Sequence, residues 1–366
     1  MLLKYELKKQ LEKPFCFIAL LVCVVFNILL LFSDDYAEKQ IMRENEVARA
    51  LGTVFVTEES ISRLDDVMQQ SVAASYLGGY IDPSDAPLVI DNILDLTTFN
   101  CLALKNAEIV HSLSDERMSG RIEEVIENRE MNAINGGVDL LMTLFVTQFT
   151  AFAFESALFA VLIGSKTAGH EFLERAEQII YTTRTGRKIM RVKLSASLIL
   201  SAGFCMAVSL LGVGAFLIKC PCFELLSAPW CVNSPLFFAI SWFYCPLWLY
   251  ILLNILILTA LSAVLAVLSF ALFGFVKNTV LSVFGTVAIL LAMYIPTPFI
   301  TQEGCIKLIW LSMPSVQLLT KPGFWLSVNK ASVPIFGYEE AAILLWGAVF
   351  LAVCTVSMKK FGRTYI

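Results

Sequence analysis

Apolar positions in this chain gather into runs too long for the buried stripe of a soluble helix, and charged positions gather between them. Six runs fall at 15–32, 141–164, 195–218, 247–274, 278–295 and 341–358. The first has Asn27 as its single strongly polar residue; at about 1.5 Å per residue it reaches roughly 27 Å, close to the hydrocarbon thickness of a bilayer. Each run predicts a membrane-crossing helix. The difficult stretch is 225–276, which holds no Asp, Glu, Lys or Arg and has room for one span or two.

Charge placement decides the count, because Lys and Arg accumulate on the cytoplasmic side of membrane proteins. With the N-terminus inside, the loop carrying Lys166, Arg175, Arg184, Arg187, Lys188, Arg191 and Lys193 is also inside. One span within 225–276, at 247–274, then returns the basic tail with Lys359, Lys360 and Arg363 to the cytoplasm. The remainder, "PWCVNSPLFFAISWFYCP", is aromatic and Pro-rich, as expected of a segment lying at or dipping into the outer interface. Composition agrees with this class: 57% of residues are apolar, 16% are charged and the mean hydropathy is +0.73. The expectation is an all-α integral membrane protein with six transmembrane helices and both termini cytoplasmic.

Residues 1–14, "MLLKYELKKQLEKP", place Leu3, Leu7 and Leu11 at four-residue spacing among lysines, which predicts an amphipathic cytoplasmic helix. A cleaved signal peptide is disfavoured by the long apolar run and by "SDDYAEK" after it, which offers no small-x-small cleavage site. Residues 33–138 are acidic, with Asp34, Asp35, Asp65, Asp66 and "EEVIENRE". Thr57 is a plausible N-cap, followed by acids in its first helical turn. This segment predicts a mainly helical extracellular domain. The five-span region 139–366 follows, with its charged loop at 165–193.

That loop carries the most specific signal. In "HEFLERAEQIIYTTRTGRK", Phe172, Leu173, Ala176, Ile179 and Ile180 share one helical face, while Glu171, Glu174, Glu177 and Gln178 share the other. The segment from Glu171 to Lys193 resembles the loop between the second and third spans of type-2 ATP-binding-cassette (ABC) exporter permeases. In that family an acid opens a coupling helix, an apolar pair and a Thr follow, and Gly-Arg leads to a Lys at the base of the next span. The matching positions are Glu171, Ile179 with Ile180, Thr183, Gly186 with Arg187, and Lys193. Arg175-Ala176 stands where the family usually has Gly-Thr. The order of N-terminal helix, first span, exodomain, charged loop, four further spans and basic tail extends the resemblance along the chain.

The resemblance implies a permease subunit of an ATP-driven exporter in a bacterial plasma membrane, moving a hydrophobic or amphipathic peptide, lipid or drug outward. It implies cytosolic ABC ATPase subunits as partners, with ATP and Mg bound there rather than on this chain, and a second permease half, identical or homologous. Glu171, Phe172, Glu174, Glu177, Ile179, Ile180, Thr183, Gly186, Arg187 and Lys193 are then the ATPase-coupling residues. A different class remains open: a non-transporting membrane sensor whose exodomain binds a ligand and whose loop passes a mechanical signal. Lipid surrounds either; nothing points to nucleic acid.

The chain is not expected to be an enzyme. A phosphate-binding loop needs G-x-x-x-x-G-K-[ST], and the nearest string, Gly164-Ser165-Lys166-Thr167, lacks the leading glycine and the glycine before Lys. His111 and His170 have no metal-ligand spacing to Cys or to each other, so no metal is expected. Cys101, Cys220, Cys222, Cys231, Cys245 and Cys305 fall at or beyond the outer face, where an oxidising exterior pairs them and a reducing habitat leaves them free. Glu155 is the one ionisable residue well inside a span, where it is either a packing partner for Gln148, Asn254 or backbone, or a proton or cation relay.

Orientation is testable directly. After removal of native thiols, a membrane-impermeant thiol reagent is expected to label Asp82→Cys in intact cells and to spare Gly186→Cys. The reverse pattern overturns the charge-based topology.

Overall fold

The computed structural model describes residues 2–12, 14–33, 38–39, 41–42, 141–173, 186–227, 231–233, 238–241, 245–297, 305–320, 322–329 and 337–364. Nearly all of the expected exodomain, and residues 174–185 of the charged loop, lie outside this set.

The chain opens with α1 (Leu2–Leu11) and α2 (Phe15–Leu31), bent from one another by 56° at the break around Pro14. A π-helical stretch, Leu141–Gln148, runs straight into α3 (Phe149–Leu173). Next come α4 (Gly186–Lys219), the short α5 (Phe223–Ser227), strands β1 (Cys231–Asn233) and β2 (Phe238–Ser241), and α6 (Leu247–Val276). The chain finishes with α7 (Thr279–Tyr294), α8 (Cys305–Leu311), α9 (Pro314–Thr320), β3 (Ser327–Asn329) and α10 (Tyr338–Thr364). Among the described residues, four helices are long and apolar enough to cross a membrane, and the bent α1–α2 pair makes a fifth candidate. The run at 278–295 forms α7, which has 16 residues and is therefore about 24 Å long, shorter than the others.

The chain is thus a predominantly helical, multi-pass membrane protein by length and composition of its helices. One departure from the all-α expectation is local. The segment "PWCVNSPLFFAISWFYCP" forms an antiparallel β1–β2 pair, with Cys231 opposite Ile240 and Asn233 opposite Phe238. Strand β3 then adds to β2, placing Ser327 opposite Ser241. Backbone that leaves a helix near a membrane still needs hydrogen-bond partners, and this small sheet supplies them.

Helix α6 is the hub. Pro246 precedes it in extended conformation, where a missing N–H costs nothing, and 67% of its most apolar window is buried, the largest share of any span. It ends at Lys277, which adopts φ 55°, and Asn278 then caps α7 by accepting from the Leu281 N–H at 3.1 Å. That two-residue turn makes α6 and α7 an antiparallel hairpin.

Apolar burial against a neighbour gains little over burial in lipid, so spans associate through close approach and polar contacts. Both occur here. A Cβ on Gly164 of α3 would sit 2.6 Å from the Ala266 carbonyl oxygen of α6. One residue on, the Ser165 hydroxyl lies 2.6 Å from that of Ser269 and donates to that of Ser282 at 2.9 Å, tying α3, α6 and α7. Ser282 in turn donates to the Ser269 carbonyl at 2.9 Å and Ser269 to the Val161 carbonyl at 2.6 Å. Ser201 and Ser262 join α4 to α6 at 2.7 Å, and Ser357 of α10 donates to the Ala271 carbonyl at 2.6 Å.

The two ends of the bundle differ. At one, Lys219 donates to the Leu31 carbonyl at 2.5 Å and pairs with Glu38 at 3.2 Å. Tyr250 donates to the Trp325 carbonyl at 2.8 Å beneath a cluster of Phe145, Phe149 and Phe324. Gly323, at φ +80°, passes against this cluster; a Cβ there would be 2.8 Å from the Phe145 ring. Helix α9, cut from "CIKLIWLSMPSVQLL", is buried from Pro314 to Leu318. At the opposite end lie α1, the end of α3, the start of α4 and the α6–α7 turn. The same end receives the end of α10, where Lys360 stands 5.5 Å over the Phe275 ring.

Gly164→Val is expected to force α3 from α6 and destabilise the protein by about 1–3 kcal/mol. Ser165→Ala, which loses only hydrogen bonds, is expected to cost about 0.6 kcal/mol. Thermal unfolding in detergent with intrinsic tryptophan fluorescence reads both.

Candidate functional site

The charged loop leaves the bundle from α3 and returns through α4, and both helices extend beyond the apolar runs that define them in sequence. Helix α3 continues past Gly164 through "SKTAGHEFL" to Leu173, and α4 begins at Gly186, a full two turns before Ser195. Gly164-Ser165-Lys166-Thr167 therefore lies within a helix: Ser165 serves the interhelical contacts above and the Lys166 ammonium sits 3.8 Å over the Phe15 ring.

Glu171, expected to open a coupling helix, instead lies in the last turn of α3 and is 1% exposed. Its carboxylate forms an ion pair with Lys193 of α4, which is 0% exposed, and a second with Lys9 of α1 at 3.6 Å. Glu6, one turn before Lys9, also turns inward, and its carboxylate attracts the Lys193 ammonium while Lys9 repels it. Gln10 is fully buried beside Glu6, and neither its amide nitrogen nor its oxygen has a hydrogen-bond partner. His170 is buried next to Glu171. Three helices thus meet at a charge cluster with acids and bases in near balance, which is what a buried set of ions requires.

This geometry changes the reading of α1. The four-residue spacing of Leu3, Leu7 and Leu11 predicts an amphipathic helix with the leucines on one face. In the structure Glu6 and Gln10 are the buried positions, Leu3 and Leu7 flank them, and Leu11 is exposed. Helix α1 presents a polar stripe to the bundle, and its outward residues include Leu2, Tyr5 and Leu11, suited to lipid. An acid and an amide at i and i+4 inside a lysine-rich helix are the sequence signal for this arrangement.

The remaining loop residues divide by what is described. Phe172 packs edge-on against Phe273 of α6 at 5.3 Å between ring centres, which fastens the end of α3 to the hub. Gly186 and Arg187 form the first turn of α4, and their side chains lie outside the described residues. Glu174, Glu177, Ile179, Ile180 and Thr183 lie outside them altogether.

The intramembrane acid has a different partner from any the sequence suggests. Glu155 accepts from the Asn27 amide at 2.7 Å, so the lone acid of the second span meets the lone amide of the first. Gln148 donates to the Asn27 carbonyl at 3.5 Å. Asn254 donates instead to the Tyr250 carbonyl at 2.8 Å on its own helix.

Cys220, Cys222 and Cys245 are buried at the opposite end of the bundle. Burial, reinforced by the Glu38 carboxylate and opposed by Lys219, pushes the Cys220 thiol up to about 11. Among the described residues no three His, Cys, Asp or Glu side chains gather as a metal site. Comparison of the chain with family models, with characterised proteins and with solved structures gives no match.

Removing one partner from a buried ion pair leaves the other uncompensated, so Lys193→Met is expected to destabilise by about 3–5 kcal/mol. Adding Glu171→Leu is expected to recover most of that loss. A double-mutant cycle on thermal unfolding checks the coupling; additive losses would show that the two side chains act independently.

Proposed function

We propose that this chain is the transmembrane permease subunit of an ATP-driven ABC exporter that moves a hydrophobic or amphipathic compound out of a bacterial cell. In this reading six helices cross the plasma membrane, both termini are cytoplasmic and residues 33–138 form an extracellular domain. Two permease halves and two cytosolic ATPases complete the transporter.

The observation that carries the reading is the Lys9–Glu171–Lys193 cluster, because it binds both ends of the charged loop to each other and to the N-terminal helix. A loop that receives a push from a cytosolic partner transmits it only when its ends are fixed to the helices that must move. Here the roots of the charged segment, at the end of α3 and the start of α4, are held by buried ions and by Phe172 on α6. The amino-acid pattern of the loop, resembling the coupling segment of type-2 ABC exporters, supplies the class of partner. Its ATPase-facing charges are then Glu174 and Glu177, since Glu171 is committed to Lys193 and Lys9 inside the protein.

Such surface charges act on association and its salt dependence. Glu174→Lys with Glu177→Lys is expected to lower co-purification of the cytosolic ATPase, or to uncouple its hydrolysis from transport, while membrane insertion stays normal. Ile179→Asp with Ile180→Asp is expected to fail differently, by destabilising the seat of the loop on the bundle. Normal assembly and substrate-stimulated ATPase activity in the Glu-to-Lys double variant would overturn the proposal.

A further inference from the structure

Apart from the loop-end cluster and the serine contacts between spans, Asn27, Gln148 and Glu155 converge from two spans within the apolar part of the bundle. All three are buried, with exposures of 1%, 0% and 8%. We propose that they form an intramembrane proton-binding site, with Glu155 as the acid that takes up the proton. The proposal is independent of ATP coupling and holds for any reading of the charged loop.

The argument is a count of hydrogens. The Asn27 amide nitrogen donates to Glu155 at 2.7 Å and to the Cys23 carbonyl at 2.9 Å, which uses both of its hydrogens. The Gln148 amide nitrogen is directed at the Asn27 carbonyl at 3.5 Å. Against these donors stand two carboxylate oxygens, the Asn27 side-chain oxygen and the Gln148 side-chain oxygen, and the last two have no partner. An amide oxygen lies about 2.3 Å from its own nitrogen, so the orphan oxygen of Asn27 is within roughly 5 Å of the acid. With the Cys23 and Asn27 main-chain carbonyls included, six acceptor oxygens share the four amide hydrogens of Asn27 and Gln148.

A single proton on Glu155 supplies the missing donor and removes an uncompensated charge from a region where charge is costly. It comes from water as hydronium and returns there on release; no other bond is made or broken. Among the described residues, neighbouring elements bring no cation to do the same task. Lys166 of α3 lies over the Phe15 ring, and Lys219 of α4 is bound to the Leu31 carbonyl and Glu38. On α6 Asn254 donates to the Tyr250 carbonyl and carries no positive charge. Among the described residues, no Lys, Arg or His forms an ion pair with Glu155.

A second observation points the same way. Gln148 is the last residue of the π-helical stretch Leu141–Gln148, just before the α-helical register resumes. Such wide turns are rare, are less stable than α-helix and occur mostly where function needs a side chain re-aimed. Here the register change puts Gln148 against Asn27, two turns from Glu155. Protonation therefore adds a second hydrogen bond between α2 and α3, and release leaves the charge with the Asn27 amide alone.

Infrared difference spectroscopy on the purified full-length chain in lipid nanodiscs tests this. A carbonyl band of a protonated carboxylic acid is expected at neutral pH, with loss of one acid equivalent in Glu155→Gln. That band should decline only in alkaline buffer, and should shift in frequency rather than vanish in Glu155→Asp, which serves if the Gln variant folds poorly. Two results would overturn the proposal. One is identical bands at neutral pH in wild type and both variants, which makes Glu155 an ionised structural residue. The other is loss of the Glu155 band when sodium chloride replaces choline chloride at constant pH, which makes the occupant a metal cation.

Discussion

Helices already surrounded by hydrocarbon gain almost nothing by hiding apolar surface from one another, and the arrangement of this protein follows from that constraint. What remains to hold spans together is close backbone approach and hydrogen bonding between small polar side chains. Both are concentrated along α6, where Gly164, Ser165 and Ser269 allow α3 to approach, Ser262 meets Ser201 of α4, and the Ala271 carbonyl receives Ser357 of α10. Because α6 is central, a displacement of α3, α4, α7 or α10 is felt by the others through it.

The same low-dielectric surroundings make ionisable groups consequential. At the loop end the solution is mutual neutralisation, with Glu171 between Lys193 and Lys9 and Glu6 nearby. Such a cluster contributes less to net stability than its attraction suggests, since each ion loses its hydration. Its effect is geometric: α1, the end of α3 and the start of α4 are held at one place, so the loop between them has fixed roots. Deeper in the bundle no cation accompanies Glu155 among the described residues, and amides surround it instead.

At the other end the chain must turn repeatedly without a helix to satisfy its backbone. The β1–β2–β3 sheet, the buried α9 and the Tyr250–Trp325 hydrogen bond together form a cap over the aromatic cluster of Phe145, Phe149 and Phe324. Cys220, Cys222 and Cys245 lie within its packed interior as small buried side chains.

Sequence by itself determined the membrane class and the positions of the apolar helices, because a bilayer imposes a length and a polarity that a run of residues either meets or fails. It also singled out Asn27, Glu155, Glu171 and Lys193, since a polar group in or beside such a run is conspicuous. Tertiary structure alone decided which of these meet. Asn27 and Glu155 are separated by the whole segment 33–138, and no periodicity relates them. The inward turn of Glu6 and Gln10 was hidden because a leucine spacing looks the same whether the leucines face lipid or protein; only the partner helices fix which face is buried. The extension of α3 through Glu171 was hidden for a related reason: charge marks the end of a hydrophobic run, whereas a helix ends where its hydrogen bonds do.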